Sequence, residues 1–513
     1  MKSDTSKPAG VVLTHGETGS SILYGALSAA VAEFPRDFDG FSLPARDTFK
    51  RTFGEAVVRF EACRVASANR VAIARRMVAV LDGHLHHAGA GTVPLREHLA
   101  QARSAPRLEV VARGASSGGY KVEIPWRREH FRGAAGLATL ADRLLEGSLA
   151  TERVHRALHW VSKRLDGDRL DLRGERFALL GAGAELAPTG LLLEAGADVL
   201  WIDRQAFAGS AVEKALAGRS SGTLHAPVAA EGGSDLLADP GAALAAVRSF
   251  REAGGPIHLG LLAYAPGKGR ELRLAGAMDA MTRTLPSGVA KSVALYVSPT
   301  TPGEVQPEDR RAAAERRAKA PLWVKLLERT GGLKPNAHHE HGRHAISRTI
   351  VTVQGPTYQA AQYIAKMLAA EVLLADGIGG EPVTVSANVA GITATRSLQH
   401  PLFQAAFIGA PRFGVEIFEP ETTRALSGLL MVHDALNPEA VGASSHAGHS
   451  EHASPIDVRA QLMASQSLHG GARSLPWHFD HTIRMGAVIG LGQKPKLIGG
   501  LLPKLGKKKK KKS

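Results

Sequence analysis

A glycine-rich segment at residues 176–188 contains the residue types that most clearly predict ligand chemistry. It begins with a short apolar stretch, continues through Gly181-Ala-Gly183, and ends in a pattern typical of the start of a helix. Gly181 permits a tight turn, and Gly183 lets the backbone approach a pyrophosphate held at the helix N-terminus. The spacing therefore predicts a phosphate-binding turn between a strand and a helix.

An acidic residue follows at the distance that a nucleotide-binding unit requires. The next apolar stretch, 198–202, ends at Asp203, twenty residues after Gly183. A carboxylate there can accept hydrogen bonds from both ribose hydroxyls of NAD, and it repels the extra phosphate of NADP. Residues 176–203 therefore predict a dinucleotide-binding unit of Rossmann type that favours NAD over NADP. A glycine turn that closes the unit and binds nothing is the alternative.

The elements that must position this turn alternate between short apolar stretches and helical periodicity from about residue 171. Such alternation is typical of a parallel sheet covered by helices on both faces. We therefore predict an α/β fold, with a doubly wound Rossmann domain over 171–400 that an insertion at 302–347 interrupts. The predicted strands are 177–180, 198–202, 225–229, 257–263, 292–297 and 383–389.

The flanking regions have mainly helical patterns. Residues 1–170 predict a mostly helical N-terminal region, and residues 401–493 predict a helical C-terminal extension with a loop or partly disordered stretch at 438–475. Residues 494–513 predict a disordered basic tail. Within the first 170 residues we predict helices at 22–34, 49–85 and 134–165 and a hairpin at 107–125.

Composition limits the partners and the compartment. The formal net charge is +15, and six of the positive charges are the lysines at 507–512. This excess favours anionic partners in general. The single cysteine, Cys63, cannot form a disulfide within the chain and favours a reducing compartment, and a lone helical cysteine is typical of a small core residue. No apolar run approaches the roughly 18 residues that span a bilayer, so we predict a cytoplasmic protein.

The lysines at 507–512 allow three interpretations. A solvated, disordered tail is the ordinary one. The apolar residues just before them, Leu497, Leu501 and Leu505 among them, would also let the tail lie on an anionic lipid surface. Nucleic acid is the third partner, although aromatic side chains that stack on bases are missing nearby.

The segments from residue 176 to about 397 resemble the short-chain dehydrogenase/reductase family, which covers roughly two-fifths of the chain. They occur in the family's order along the chain. They resemble the first strand and its glycine turn, the acidic stretch after the third strand, the Asn-Asn-Ala-Gly position, the fifth strand with its catalytic serine, and the Val-Asn-x-x-x-Pro-Gly-x-x-x-Thr segment. The matching segments are 177–187, 235–240, 262–267, 293–298 and 385–395.

The resemblance implies an NAD(P)-dependent oxidoreductase that transfers a hydride between the nicotinamide and a carbonyl or alcohol carbon. It implies that Ser298 holds the substrate oxygen and that Tyr358 donates the proton. Because family members commonly associate through the helix that carries the catalytic tyrosine, it also implies a homo-oligomer. The cofactor contacts that it implies are Gly181, Gly183, Glu185, Asp203, Asp235, Ala263 and Gly391.

The helix that should carry the catalytic pair departs from the family pattern. The family places a lysine four residues after the tyrosine, where it lowers the tyrosine pKa from about 10. Here Gln362 follows Tyr358 at that distance, and Tyr363 and Lys366 are three residues apart. Aligning on the end of the helix instead puts Gln354 at the tyrosine position. Either catalysis uses Tyr358, with Gln362 and Lys366 as further candidates, or it is lost and the tyrosines are packing residues.

Glu185 is the second departure, because it stands where the family has its second glycine. A carboxylate near a pyrophosphate is unfavourable unless it points away or pairs with a cation. Glu185 and the altered helix together favour an alternative function. In this alternative the protein is a catalytically silent Rossmann scaffold that binds a nucleotide or a protein partner and is peripheral at an anionic membrane surface.

Three histidine-rich segments could supply metal ligands: residues 84–87, 338–344 and 446–452. No cysteine accompanies them, and histidines in loops are more often solvated. We therefore predict no metal site.

Overall fold

The computed structural model describes residues 10–102, 106–114, 118–216, 218–228, 234–267, 269–398, 400–443 and 466–501. The strands are β1 Gly10–Leu13, β2 Leu85–Ala88, β3 Thr92–Pro94, β4 Leu108–Arg113, β5 Tyr120–Lys121, β6 Glu123–Trp126, β7 Glu129–Arg132, β8 Arg169–Leu170, β9 Arg176–Leu180, β10 Asp198–Ile202, β11 Thr223–Pro227, β12 Ile257–Leu261, β13 Ala290–Val297, β14 His338–His341, β15 His344–Ser347 and β16 Thr384–Val389.

The α-helices alternate with these strands over most of the chain. They are α1 Gly19–Glu33, α2 Phe49–Ala66, α3 Arg70–Gly83, α4 Leu95–Gln101, α5 Gly133–Glu146, α6 Glu152–Lys163, α7 Thr189–Glu194, α8 Ala211–Leu216, α9 Pro240–Glu252, α10 Arg270–Thr284, α11 Pro307–Ala318, α12 Leu322–Arg329, α13 Gly355–Gln359, α14 Ala369–Asp376, α15 Pro401–Gly409, α16 Pro420–Leu436, α17 Phe479–Gln493 and α18 Lys496–Leu501.

A seven-stranded sheet forms the centre of the fold, in the order β16-β13-β12-β9-β10-β11-β4. The strands from β16 to β11 run parallel, and β4 pairs antiparallel with β11 at the edge. All six predicted strands are confirmed to within a few residues, and β10 spans the predicted 198–202. The mixed α/β class, with a mostly parallel central sheet, is therefore confirmed.

Both faces of the sheet are buried. In β9, Ala178 and Leu180 belong to one hydrophobic core, whereas Phe177 and Leu179 belong to another. The first core contains residues of α1, α2, α3, α9 and α10, and the second contains residues of α5, α6, α7 and α16. Because successive side chains of a strand point to opposite faces, burial on both faces requires the continuous apolar runs seen in the sequence.

One prediction for the first 170 residues is wrong. The predicted hairpin at 107–125 does not form, because β4 pairs with β11 and β5 pairs with β8. An alternating pattern indicates a strand but not its partner. The predicted helical stretches are confirmed, and the one over 49–85 contains two helices, α2 and α3, separated near Ser67, whose hydroxyl donates to Asp37 over 2.5 Å.

Residues 355–376 form one long helix with three segments. The first is α13, the second is a π-helical segment, Ala360–Leu368, and the third is α14. π-Helical turns occur mostly as short insertions and are frequent at functional sites. On the side away from the sheet, α1, α2 and α3 pack against this helix.

The contact of the long helix with α2 and α3 contains a buried charged network. Arg64 donates to Glu61 over 2.7 and 2.8 Å and lies 3.0 Å from Glu371, and Arg70 donates to Glu371 over 2.5 Å. The Tyr363 hydroxyl donates to Glu61 over 2.6 Å. All five residues are at most 3% exposed. Two arginines thus balance two glutamates inside the protein, as a buried ionic cluster requires.

The described residues 466–475 of the segment 438–475 form a loop, as predicted. This loop is buried, and His469 Nε2 lies 3.1 Å from the Asp309 carboxylate on α11. Its burial was not predicted from the sequence, because a composition rich in Ala, Ser, His and Gly indicates a loop but not what the loop packs against. Residues 444–465 and 502–513 lie outside the described part of the chain, and so do the lysines at 507–512.

Cys63 is buried on α2, as predicted, and burial raises the pKa of its thiol. No helix within the described residues is both long enough and apolar enough to cross a membrane.

Candidate active site

A cavity of about 240 Å³ opens where β9, β12, β13 and β16 end. The loops after these strands contribute Glu185, Leu262, Ser298 and Gly391 to its walls. The long helix forms one side, and α15 and α17 contribute the far wall. Ligands of parallel α/β sheets bind at this carboxyl edge. The predicted catalytic residues all line this cavity: Ser298, Tyr358, Gln362 and Lys366.

Ser298 follows β13 directly and points its polar groups toward the long helix. Its N–H donates to Gln362 Oε1 over 3.0 Å, and its hydroxyl lies 2.8 Å from the Thr300 hydroxyl. Thr300 was not predicted from the sequence. The only signal was a second hydroxyl residue two positions after the predicted serine, and that signal recurs throughout the chain.

Tyr358 lies on α13 opposite these hydroxyls. It is partly buried, and its phenol lies close to the side chains of Ser298 and Thr300. Burial raises the pKa of Tyr358 above the ordinary value for tyrosine, and the neighbouring Tyr264 adds to this, while the two hydroxyls oppose it. Tyr358 is therefore a neutral phenol at physiological pH and can donate a hydrogen bond or a proton.

Gln362 and Lys366 are joined to Glu271 on α10. Lys366 Nζ donates to Glu271 Oε1 over 2.8 Å, and Gln362 Nε2 donates to the same oxygen over 3.1 Å. The other carboxylate oxygen accepts the Ala265 N–H over 3.0 Å. The lysine charge is therefore paired with Glu271. Sequence reasoning missed Glu271 because its position in the charged first turn of α10 carries no motif.

The glycine turn after β9 packs against the loop after β12. Gly181 has a φ of +93°, and a Cβ there would lie 2.3 Å from the backbone nitrogen of Ala263. The Ala263 N–H donates to the Leu180 carbonyl over 2.7 Å. Gly181 is thus required for the close approach of two loops, and neither Gly181 nor Ala263 lines the cavity.

Gly183 and Asp203 are bonded to each other. The Gly183 N–H donates to Asp203 Oδ2 over 3.0 Å, and the Gln205 N–H donates to Oδ1 over 2.9 Å. The helix expected directly after the turn begins only at Thr189, whose hydroxyl donates to the Ala182 carbonyl over 2.5 Å. Asp203 remains partly exposed. The carboxylate therefore orders the turn, and neither Gly183 nor Asp203 lines the cavity.

Glu185 lines the cavity between two arginines. Its carboxylate accepts the Arg396 N–H over 3.0 Å and lies 3.8 Å from the Arg396 guanidinium. Its backbone carbonyl accepts from Arg424 Nε over 2.7 Å. Arg396 therefore supplies a cation beside the carboxylate, whereas Arg424 contacts only the backbone carbonyl of Glu185.

The remaining predicted cofactor contacts have structural partners. Asp235 accepts the N–H groups of Leu237 and Ala238 over 2.8 and 3.3 Å, which forms a turn beside Asp203. Gly391 lines the cavity, and a Cβ there would lie 2.6 Å from the Phe418 ring. Packing alone is therefore sufficient to require the glycine.

Within the described residues, one group of three metal-ligating side chains converges, Asp142, His155 and His159. The two histidine Nε2 atoms on α6 lie 2.8 and 2.9 Å from Asp142 Oδ1 on α5. This group was not predicted from the sequence, although two histidines four apart in a predicted helix share a face.

The histidine-rich segments named from sequence have other neighbours. His338 bonds to the Arg473 carbonyl over 2.8 Å, and His344 bonds to Glu304 over 2.6 Å. His87 stacks on His98 with 3.6 Å between ring centroids. Residues 446–452 lie outside the described ranges.

Comparison with models of known protein families finds no match to this chain, and comparison with curated proteins finds none. Function is therefore inferred from the cavity and its side chains.

Proposed function

We propose that the protein is an NAD(P)-dependent oxidoreductase of short-chain dehydrogenase/reductase type that reduces a carbonyl group. The convergence of three hydroxyls, from Ser298, Thr300 and Tyr358, inside one cavity carries this proposal. The sheet supports it, because the parallel strands in the order β16-β13-β12-β9-β10-β11 have the arrangement of doubly wound dinucleotide-binding domains. The cavity lies where the strand order reverses, between β9 and β12.

The hydroxyls would act on the carbonyl oxygen of the substrate. Ser298 and Thr300 would hold that oxygen, and Tyr358 would give it a proton while the carbon receives a hydride. The bound cofactor supplies the hydride. Because burial raises the pKa of Tyr358, the phenol keeps its proton across the neutral range. This property suits reduction of a carbonyl better than oxidation of an alcohol, which needs the phenolate as a base.

The cofactor would be held by charges more than by the glycine turn. The amides of Gly181 and Ala182 donate to the Ile202 carbonyl, and that of Gly183 donates to Asp203. Arg396 and Arg424, beside Glu185, would therefore meet the phosphates. Asp203, at the end of β10 and partly exposed, would accept from the ribose and favour NAD over NADP.

Calorimetry of the full-length chain tests this function. NADH should bind, and Asp203→Ala should weaken its binding at least tenfold, since a hydrogen bond to a charged group is worth about 1.5–3 kcal/mol. The exposed Asp47 offers a matched control, and Asp47→Ala should leave the affinity unchanged. Absence of binding with millimolar NADH and NADPH would overturn the proposal.

A catalytically silent scaffold is the second candidate function. It is favoured by the pairing of Lys366 with Glu271 and by the internal bond between Gly183 and Asp203. The insertion exposes Leu322, Trp323 and Leu326 on α12, which is typical of a surface that binds a protein or a membrane. Under this function, deletion of residues 494–513 should abolish binding to anionic vesicles, and Tyr358→Phe should change no turnover rate.

Self-association remains a prediction. Because α1, α2 and α3 cover the outer face of the long helix, a homo-oligomer would use a different surface.

A further inference from the structure

The cavity continues past the hydroxyls into an apolar arm. Among the described residues that line the cavity, only Glu185 and Lys366 are charged. The arm is bounded by side chains from the loop before the long helix, the loop after β16, and helices α15 and α17. These are Val351, Ile392, Leu398, Phe403, Phe407, Phe479 and Ile483.

The walls of the arm belong to a different core from the one behind the hydroxyls. Val351, Ile392, Phe479 and Ile483 are buried members of a third hydrophobic cluster, against which Phe407 packs. That cluster is separate from the two cores that cover the sheet. The cavity therefore runs from the polar edge of the sheet to the C-terminal helices.

Close backbone contact fixes the position of these helices. A Cβ on Gly490 of α17 would lie 1.9 Å from the Ala405 carbonyl oxygen of α15, and a Cβ on Gly409 would lie 2.0 Å from the Gly486 carbonyl oxygen. At these glycines the two helix backbones are in direct contact, so no side chain lies between them whose movement could change the spacing of the helices. The backbone packing of α15 and α17 therefore fixes the positions of Phe403, Phe407 and Phe479.

We propose that the substrate carries its carbonyl group at or near one end of an aliphatic chain of medium length, and that the chain occupies the apolar arm. The identity of the reacting end rests on the proposed function, whereas the chain is inferred from the arm alone. A sugar-like substrate fits this lining less well, because Gln354, Thr393 and Thr395 are the polar side chains beside the arm and cannot replace all the hydrogen bonds to water that several hydroxyls would lose. The whole cavity of about 240 Å³ would hold roughly eight groups of about 30 Å³ each, and because it includes the space beside the hydroxyls, we expect a chain of fewer than about eight carbons.

A series of 2-alkanones from 2-butanone to 2-decanone tests the chain length. Dissociation constants of the full-length protein, measured by calorimetry without cofactor, should fall about fourfold per added methylene, since its burial is worth about 0.8 kcal/mol. The fall should stop where the arm is full. An affinity that does not depend on chain length would overturn the inference.

Two variants should change the length of chain that the arm can hold, one by enlarging the arm and one by shortening it. Phe407→Ala should shift the plateau to longer ketones, and Leu398→Trp should shift it to shorter ones. Leu402→Ala is the control, because Leu402 lies on α15 beside Phe403 but is not among the lining residues. If neither Phe407→Ala nor Leu398→Trp moves the plateau while thermal unfolding shows both to be folded, the arm is not the binding site.

NADH-dependent turnover of the same ketones separates the two proposals. If the ketone dissociation constants depend on chain length but NADH neither binds nor supports turnover, the arm is a binding site and the proposed enzyme function is wrong. Turnover that is equal for short and long ketones supports the enzyme function and removes the proposed substrate class.

Discussion

The two faces of the long helix contain the same residue types and use them in different ways. On the face toward α2 and α3, Tyr363 and Glu371 are buried in a network whose charges balance. On the face toward the cavity, Tyr358 lies close to the side chains of Ser298 and Thr300 and remains partly exposed. Residue type alone therefore does not separate packing from chemistry. What separates them is whether the polar groups are closed off by one another or left open to a ligand.

We call the face of the long helix toward α2 and α3 the closed face and the face toward the cavity the open face. The largest effect on stability is expected from removing a charged residue of the closed face. Glu371→Ala leaves Arg64 with one carboxylate partner and Arg70 with none in this network, so it should lower the free energy of unfolding by about 3–5 kcal/mol. Urea denaturation measures this loss. Asp376→Ala is the control on the same helix, because its pair with Arg75 is about half exposed. Such a pair is worth about 0–1 kcal/mol. Equal stability losses for the two variants would contradict the comparison.

The two tyrosines provide the next test, since the same substitution should affect different properties. Tyr358→Phe should lower kcat/KM for NADH-dependent ketone reduction by about 10²–10⁴-fold through loss of the proton donor, with little change in stability. Tyr363→Phe should lower the free energy of unfolding by about 1–3 kcal/mol, because Glu61 loses a buried donor. Its effect on kcat/KM should be small. If the two variants behave alike, the faces are not distinct in the way proposed.

Sequence reasoning located the open face better than the closed one. Local sequence patterns place Ser298 after β13 and Tyr358 at the start of a helix. The structure brings both residues to one cavity. The partners of the closed face could not be predicted, because Glu61 and Arg64 are about 300 residues away from Tyr363 and Glu371 along the chain. Helical periodicity shows which residues share a face, but it does not identify what that face packs against.

The same limit applies to the nucleotide turn and the arm. The spacing of Gly183 and Asp203 was recognised, but their bond to each other depends on how two loops meet after β9 and β10. The apolar arm combines α15 and α17, whose contact through Gly490 and Ala405 has no motif of its own. Local sequence thus predicted the strands and their ends, whereas long-range packing decided what lies beside them.

Glu185 is intermediate between the two faces, since it lines the cavity and its carboxylate also lies 3.8 Å from the Arg396 guanidinium. Glu185→Gln removes a negative charge beside the expected phosphates while it leaves Arg396 and Arg424 in place. NADH affinity should rise about three- to tenfold, a modest effect because the charge is near solvent. Calorimetry measures it, with the exposed Glu129→Gln as control. Unchanged affinity would place the phosphates elsewhere.

The pH dependence of the unfolding free energy tests the closed face with the smallest expected effect, and it is selective for Glu371. Burial raises the pKa of Glu371, but Arg64 and Arg70 lower it further, so the net pKa lies below the ordinary 4.5. A carboxyl whose folded-state pKa is depressed contributes its full stability above the unfolded pKa and loses it as the pH falls. The difference in unfolding free energy between wild type and Glu371→Gln should therefore be constant above about pH 5 and shrink below pH 4.5. A difference that grows on acidification would reverse the sign of the pairing and show that the network is not closed by Glu371.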